Sequence, residues 1–116
     1  MQILVVDDAL IIRKIITKIL IEAGHESITA ANGTEALQIL NEFGGIEIIL
    51  SDWNMPGMNG FELLTEIRKN EKFKDIPFYL VTVNANIDNF EEADLAGISG
   101  YITKPFTAED ILSVLG

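Results

Sequence analysis

The chain has 116 residues, 48% of them hydrophobic, and a formal net charge of −10 at pH 7. This length and apolar content suit one domain with a packed core and argue against a disordered chain. The acidic balance argues against binding of nucleic acid, because phosphate backbones attract clusters of Lys and Arg. There is no cysteine, which excludes disulfides, thiolate zinc sites and dithiol redox motifs.

No segment of the sequence predicts an association with a membrane. The most apolar stretch, residues 9–21, is interrupted by Arg13, Lys14 and Lys18, so it cannot span a bilayer. The first predicted strand begins at Gln2, which leaves no room for a signal peptide. We therefore expect a protein of the cytoplasm.

The first part of the chain predicts two strands, each followed by a helix. Residues 2–7 form an apolar run that is typical of a buried strand. After Asp8, isoleucines and leucines recur at the spacing of one helix face, and we expect them in the core until Gly24 ends the helix. Residues 26–30 predict a short, poorly apolar strand that suits a sheet edge, and a second helix follows over residues 32–44.

The middle of the chain continues this alternation with two further strands. Residues 46–51 and 77–82 predict the third and fourth strands, which are separated by a turn-rich loop and a helix through residues 61–67. An Asn-rich segment then begins a fourth helix that ends near Gly97. Because asparagine is a poor helix former, we expect this helix to be short or mobile at its start.

A fifth strand and a last helix complete the pattern. Residues 101–103 predict a short strand, and residues 107–115 predict a helix in which Thr107 and Asp110 form an N-terminal capping pattern. Five strand–helix repeats are typical of an α/β domain with a parallel sheet and helices on both faces. We expect that domain to comprise residues 1–116.

Aspartates stand at the ends of two apolar strands. Asp7 and Asp8 end the first strand, and Asp52 follows the third. Buried strands that stop at acids mark the rim of a sheet, where ligands of open α/β folds bind. Three carboxylates that converge there repel one another unless a divalent metal lies between them. The sequence therefore predicts a metal site, although Asp7 and Asp8 alone would equally suit a helix N-cap and a first-turn acid.

Five separated features make the chain resemble the receiver domain of two-component response regulators, and most of all the single-domain CheY-like receivers. They are the pair Asp7-Asp8, the block Asp52-Trp53-Asn54-Met55-Pro56-Gly57, Thr82 at the end of a strand, Tyr101, and Lys104-Pro105. The resemblance covers essentially the whole chain. It implies a flavodoxin-like three-layer sandwich with a parallel five-stranded sheet in the order 2-1-3-4-5.

The resemblance also implies a phosphorylation site. Asp52 would accept a phosphoryl group from a histidine kinase or a histidine phosphotransfer protein, with Mg²⁺, or Mn²⁺ as a substitute, as the cofactor. Asp8 and Asp52 would be direct metal ligands, and Asp7 would act through a metal-bound water. The main-chain carbonyl of Asn54, two residues after the acceptor, would complete the protein ligands.

Three further residues would turn phosphorylation into a signal. Lys104 would pair with Asp52 at rest and with a phosphoryl oxygen afterwards, and Thr82 would donate its hydroxyl to another oxygen. Tyr101 would rotate inward after Thr82 moves, which would remodel the face of the fourth helix, fifth strand and fifth helix for a downstream effector protein. We expect that effector to be basic, because the fourth helix carries four acids, Asp88, Glu91, Glu92 and Asp94.

Some positions depart from the family pattern or are ambiguous. Val83 stands where relatives usually have a small residue, so it could narrow access to Asp52, and Asn84 with Asn54 would flank the route of attacking water. These three residues are therefore candidates for tuning access and hydrolysis. Trp53 is expected to be a lid over the acceptor or a partner contact.

Rival functions are less well supported by the sequence. A phosphatase of the haloacid dehalogenase type needs an acid two residues after its nucleophile, but Asn54 stands there and cannot transfer protons. A flavodoxin needs a Thr-, Ser- or Gly-rich phosphate loop after the first strand, which is absent. A degenerate receiver that serves as a constitutive interaction domain conflicts with the intact acids and Lys104. We therefore expect a switch rather than an enzyme with a separate substrate.

Overall fold

The computed structural model of the chain describes residues 1–83 and 97–115. The strands are β1 (Gln2–Val6), β2 (Glu26–Ala30), β3 (Ile48–Ser51), β4 (Phe78–Thr82) and β5 (Gly100–Thr103). The helices are α1 (Leu10–Glu22), α2 (Gly33–Glu42), α3 (Gly60–Lys69) and α4 (Ala108–Ser113). Here α4 is the last predicted helix, and the helix predicted to end near Gly97 lies outside the described residues, together with its acids and Asn84.

The five strands form one parallel sheet in the order β2-β1-β3-β4-β5. This is the flavodoxin-like order that the resemblance implied, and the fold prediction is confirmed. β2 lies at an edge, as its polar sequence predicted. From β1 the chain adds β2 on one side of the sheet, whereas from β3 onward it adds strands on the other side. The carboxyl ends of the neighbouring strands β1 and β3 therefore form the topological switch point.

The sheet separates two apolar cores, because side chains alternate between its faces along each strand. Leu4 and Val6 of β1 face a core built with α2 and α3. Ile3 and Val5 face the other core, which is built with α1 and α4. The last four residues of β1 are therefore buried on both faces, and the first polar side chain after them is that of Asp7, which follows the strand.

Helix α1 buries one face, as the spacing of its apolar residues predicted. Ile16 and Leu20 are buried, and Ile12 and Ile19 pack against the same core. The prediction was wrong for Ile15, which is exposed, because the sheet covers only part of the apolar face. The other exposed large apolar side chains of α1 are Leu10, Ile11 and Ile21. Within residues 1–83 and 97–115, every helix is too short or too polar to cross a bilayer.

Candidate functional site

The acids meet because the first and third strands are neighbours. Val6 is paired with Ser51 in the parallel register. The Asp52 N–H donates to the Val6 carbonyl at 2.8 Å, which extends this pairing to the acid itself. Asp7 and Asp52 therefore leave the sheet side by side at its carboxyl rim, with Asp8 next to them.

The three carboxylates form a cluster that fits a divalent cation. One oxygen from each of Asp7, Asp8 and Asp52 lies within 4.8 Å of the others. Octahedral Mg²⁺ binds oxygen at roughly 2.1 Å, which places opposite ligands about 4.2 Å apart. Asp7 and Asp52 are buried, whereas Asp8 is exposed, so the cluster opens to solvent on one side. Hard carboxylate oxygens at this spacing suit Mg²⁺ with one of them acting through water.

Lys104 supplies an ammonium group to the same cluster. Its Nζ lies 2.8 Å from Asp7 Oδ2 and 3.6 Å from Asp52 Oδ2. The contact with Asp52 that the sequence led us to expect is therefore the longer of two. The main-chain N–H of Lys104 donates to the Thr82 carbonyl at 2.7 Å, which fixes the lysine at the end of β5 beside β4.

Asp7 is held at all three of its oxygen atoms. Its Oδ1 accepts from the Ala9 N–H at 2.9 Å, and its Oδ2 accepts from Lys104. Its main-chain carbonyl accepts from the guanidinium of Arg13. Because both carboxylate oxygens already have donors, this geometry favours contact between Asp7 and a cation through a bound water.

Asp52 is buried, and its two carboxylate oxygens have different partners. Its Oδ1 accepts from the Trp53 N–H at 2.7 Å, which leaves Oδ2 directed toward Lys104. Burial raises the pKa of Asp52 above its ordinary value of 3.8, and the neighbouring Asp7 raises the pKa further. Lys104 and the main-chain amides of Trp53 and Asn54 act in the opposite direction, because they stabilise the carboxylate. The lysine and the amides therefore offset only part of the cost of ionising Asp52 in its buried position.

The chain matches the model of the response regulator receiver domain over residues 3–116. It belongs to the response regulator receiver family. This receiver is 43% identical over 110 residues to the chemotaxis protein CheY of Pseudomonas aeruginosa, covering 94% of this chain and 88% of that one. It is 41% identical to CheY-3 of Vibrio cholerae over 109 residues, covering 93% and 83% of the two chains.

Solved structures are similar to this receiver over nearly its whole length. CheY4 of Vibrio cholerae has a TM-score of 0.93 at 35% identity, covering 98% of this chain and 94% of that one. The receiver domain of the sensor histidine kinase PA1611 from Pseudomonas aeruginosa has a TM-score of 0.89 at 28% identity, covering 98% and 93%. That structure has a magnesium ion coordinated in its active-site cleft.

Three other predicted site residues, Thr82, Val83 and Asn54, lie near the same rim. Thr82 is buried at the end of β4, and Asn54 is exposed in the loop after Asp52. Val83 is 72% exposed, so its side chain does not seal Asp52 from solvent. Tyr101 lies within β5, paired in register with Leu80, and is 48% exposed.

Trp53 is neither a lid nor an exposed contact in the receiver, and this expectation was wrong. Its side chain is only 8% exposed and packs edge-on against Phe61, with ring centroids 5.8 Å apart. The cause is the close approach of α3. A Cβ on Gly60 would lie 2.6 Å from the Asp52 carbonyl oxygen and 2.8 Å from the Trp53 Cα. Only glycine allows the start of α3 to lie so close to Asp52 and Trp53 and to enclose the indole.

Sequence reasoning missed two residues that shape the site. The sequence pattern places Gly60 only in the turn-rich loop before the third predicted helix, although glycine at such a position permits close approach of the backbone. Arg13 was noted only as a charge in an apolar helix. Its position six residues after Asp7 places it one turn into α1, within reach of the Asp7 carbonyl.

The Asp52→Asn change should stabilise the metal-free receiver at pH 7 but not below pH 3.8. Because the pKa of Asp52 is raised in the fold, its ionisation is less favourable in the folded than in the unfolded chain. Below pH 3.8 the acid is protonated and its ionisation does not lower stability. As the pH rises through the folded pKa, ionisation of Asp52 lowers the free energy of unfolding. Thermal unfolding of both chains in EDTA at the two pH values measures this. An equal difference at both pH values would contradict it.

Proposed function

We propose that this receiver is a signalling switch that accepts a phosphoryl group on Asp52 from a histidine kinase or a histidine phosphotransfer protein. One observation carries the proposal. The oxygens of Asp7, Asp8 and Asp52 lie within 4.8 Å of one another, and the Lys104 ammonium lies 3.6 Å from Asp52 Oδ2. Membership of the receiver family supports the same function. The proposed unit is one receiver domain over residues 1–116, working in the cytoplasm.

The transfer needs a nucleophile and charge neutralisation rather than elaborate machinery. Asp52 Oδ2 attacks the phosphorus of the phosphohistidine, an O–P bond forms, and the N–P bond breaks with its electron pair left on the imidazole nitrogen. The product is an acyl phosphate on Asp52. Lys104 then pairs with one phosphoryl oxygen, and the Thr82 hydroxyl donates to another.

The acids would hold Mg²⁺, with Mn²⁺ as a substitute. In this proposal Asp8 and Asp52 bind it directly with the Asn54 carbonyl, and Asp7 binds it through water, since both Asp7 carboxylate oxygens already accept hydrogen bonds. When bound, the ion neutralises the charge between the carboxylate and the phosphoryl oxygens. The magnesium in the cleft of the PA1611 receiver supports this assignment.

The switch would act through Thr82 and Tyr101. Thr82 is buried beside the site, and Tyr101 is half exposed on the neighbouring strand, in register with Leu80 two residues before Thr82. Movement of Thr82 toward the phosphoryl group would open space for the Tyr101 ring. Such couplings are typically about 1–3 kcal/mol, which changes partner affinity by roughly 5- to 150-fold.

The proposed output surface comprises β5, α4 and the helix predicted to end near Gly97. A downstream effector protein with a basic face would bind it, since the predicted helix carries four acids. We propose no nucleic-acid or membrane contact for this domain. The net charge of −10 argues against a contact with nucleic acid, because like charges repel across an interface.

Val83 is proposed to tune access together with Asn54 and Asn84. Because its side chain is exposed at the end of β4, it would hinder an approaching donor rather than close a pocket. Val83→Ala should then raise the phosphorylation rate by up to about tenfold, which corresponds to a decrease of about 1.4 kcal/mol in the activation barrier. Stopped-flow kinetics with a small phosphodonor measure the phosphorylation rate of both chains. The Mg²⁺ affinity of both chains is the internal control for an intact site. An unchanged rate at unchanged affinity would dismiss the idea.

Two alternatives remain less well supported. A degenerate receiver would serve as a constitutive interaction domain without phosphorylation, but Asp52 and Lys104 are present and close together. A phosphatase with an aspartate nucleophile would need a second acid where Asn54 stands, and the amide cannot act as a general acid or base. The measurements below separate both alternatives from the switch.

Trp53 should report metal and phosphoryl binding through its fluorescence. It is the only tryptophan, and its main-chain N–H donates to Asp52 Oδ1, so ligands on Asp52 alter the charge bound to the backbone of this residue. We expect Mg²⁺ to change the emission saturably and beryllofluoride, a phosphoryl mimic, to change it further. Asp8→Asn should weaken the Mg²⁺ response at least tenfold, whereas Glu71→Gln, at an exposed acid in an ion pair with Lys74, should not.

The proposed function would fail if calorimetry, as well as fluorescence, detects no Mg²⁺ binding by the folded wild-type chain. A degenerate receiver predicts that metal and beryllofluoride have no effect on effector affinity. A phosphatase predicts steady release of phosphate from small phosphomonoesters, and a receiver predicts none.

A further inference from the structure

Arg13 contacts the acid cluster from outside, at the main chain of Asp7. It lies in the second turn of α1, and its Nη1 donates to the carbonyl oxygen of Asp7. Asp7 thus binds two cationic side chains on different atoms, Lys104 at its carboxylate and Arg13 at its backbone.

Asp8 is the acid whose position depends most on the backbone. Its side chain is exposed, and among residues 1–83 and 97–115 no group forms a hydrogen bond or ion pair with its carboxylate. Asp7 and Asp52, in contrast, are each held by a main-chain N–H and by Lys104. The conformation of the turn between β1 and α1 is therefore what directs Asp8 toward the other two acids.

The turn between β1 and α1 lacks the usual side-chain cap. The other three described helices each begin with a side chain that accepts from the third N–H of the helix: Asn32 in α2, Asn59 in α3 and Thr107 in α4. In α1 the N-cap residue is Ala9, which has no such oxygen. The Arg13 contact is thus a tether from the body of α1 back to the uncapped turn.

We propose that Arg13 is a positioning residue for the metal site, and this inference rests on the proposed function. The Asp7 carbonyl and the Asp8 N–H belong to one peptide plane. A guanidinium bound to that carbonyl fixes the orientation of the plane, and with it the direction in which Asp8 leaves the turn. In this way Arg13 orients Asp8 toward the position at which Asp7 and Asp52 would also hold a cation.

The sign of one measurable effect separates positioning from simple electrostatics. If Arg13 acted only as a nearby positive charge, its removal would strengthen Mg²⁺ binding, because one repulsive cation would be lost. If it positions Asp8, its removal weakens binding. Replacement of residues that orient metal ligands typically lowers metal affinity by about 10- to 100-fold.

The experiment titrates Mg²⁺ into wild type, Arg13→Met, Arg13→Lys and Lys14→Met, and measures the dissociation constant by calorimetry and Trp53 fluorescence. Arg13→Met keeps a long side chain but removes the donor and the charge. Arg13→Lys keeps the charge and a donor without the rigid planar fork. Lys14→Met removes the same charge from an exposed neighbour on α1.

We expect Mg²⁺ affinity to fall at least tenfold in Arg13→Met, to fall less in Arg13→Lys, and to be unchanged or slightly higher in Lys14→Met. Melting curves in EDTA confirm that each variant is folded, and Arg13→Lys provides the folded variant should Arg13→Met prove unstable. If the folded Arg13 variants bind Mg²⁺ as tightly as wild type or more tightly, the inference about Arg13 is wrong and the proposed function is unaffected. A wild-type chain that binds no Mg²⁺ would overturn the proposed function and this inference with it.

Discussion

Asp52→Asn should abolish phosphorylation of this receiver while the domain stays folded. A carboxamide oxygen is a poor nucleophile, and its attack on phosphorus would not give an acyl phosphate. The amide has the shape of the acid it replaces, so the Trp53 N–H keeps an oxygen to bind. Incubation with a small phosphodonor and Mg²⁺, followed by intact mass analysis, should give a singly phosphorylated wild type and no labelled variant.

The control for this change is Asp75→Asn, which makes the same chemical replacement at an exposed acid next to Arg68. It should be labelled at the wild-type rate. Persistent labelling of Asp52→Asn would place the phosphoryl group on another residue, and peptide mapping would then identify it. Loss of labelling in both variants would point to a general effect of the charge rather than to an acceptor.

Lys104→Met should destabilise the metal-free receiver by about 3–5 kcal/mol. The Lys104 and Asp7 side chains are only 13% and 2% exposed, and their charged atoms are 2.8 Å apart. Removal of the lysine leaves the buried Asp7 carboxylate without its ion-pair partner and beside two further acids, with Arg13 bound only to the main-chain carbonyl of Asp7. Urea unfolding in EDTA measures the loss in the free energy of unfolding.

Mg²⁺ should recover much of that loss, because the cation supplies the positive charge that the lysine provided. The stabilisation by Mg²⁺ should therefore be larger in Lys104→Met than in wild type. Lys74→Met is the matched control. Its ion pair with Glu71, 3.1 Å long, joins side chains that are 45% and 87% exposed, so its loss should cost less than about 1 kcal/mol. Equal losses in the two lysine variants would contradict the account.

The alternation of apolar strands and amphipathic helices was sufficient to predict the fold class, a parallel sheet covered by helices. Strands buried on both faces, such as β1, carry a strong signal because every side chain in their centre must be apolar. The convergence of Asp7, Asp8 and Asp52 followed from the rule that carboxyl ends of parallel strands share one edge. The strand order itself needed the family resemblance, since local patterns do not specify which strands are neighbours.

The errors concern side-chain direction, which depends on contacts between distant segments. Trp53 is buried because Gly60 lets α3 approach Asp52 and Trp53, and nothing in the local sequence around Trp53 requires this. Ile15 of α1 has the spacing of a core residue but is exposed, because the width of the face that a helix buries is set by its neighbours. Lys104 lies closer to Asp7 than to Asp52, a difference of 0.8 Å that no sequence pattern specifies.

The contact between Lys104 and Asp7 joins residues 97 positions apart, so it closes almost the whole chain into one loop. β5 must join the sheet before the Lys104 ammonium can reach the acids. A folding intermediate in which β5 has not yet paired with β4 would therefore hold Asp7 and Asp52 close together without the lysine. Contacts between residues so far apart in sequence form late, which slows the completion of the acid cluster.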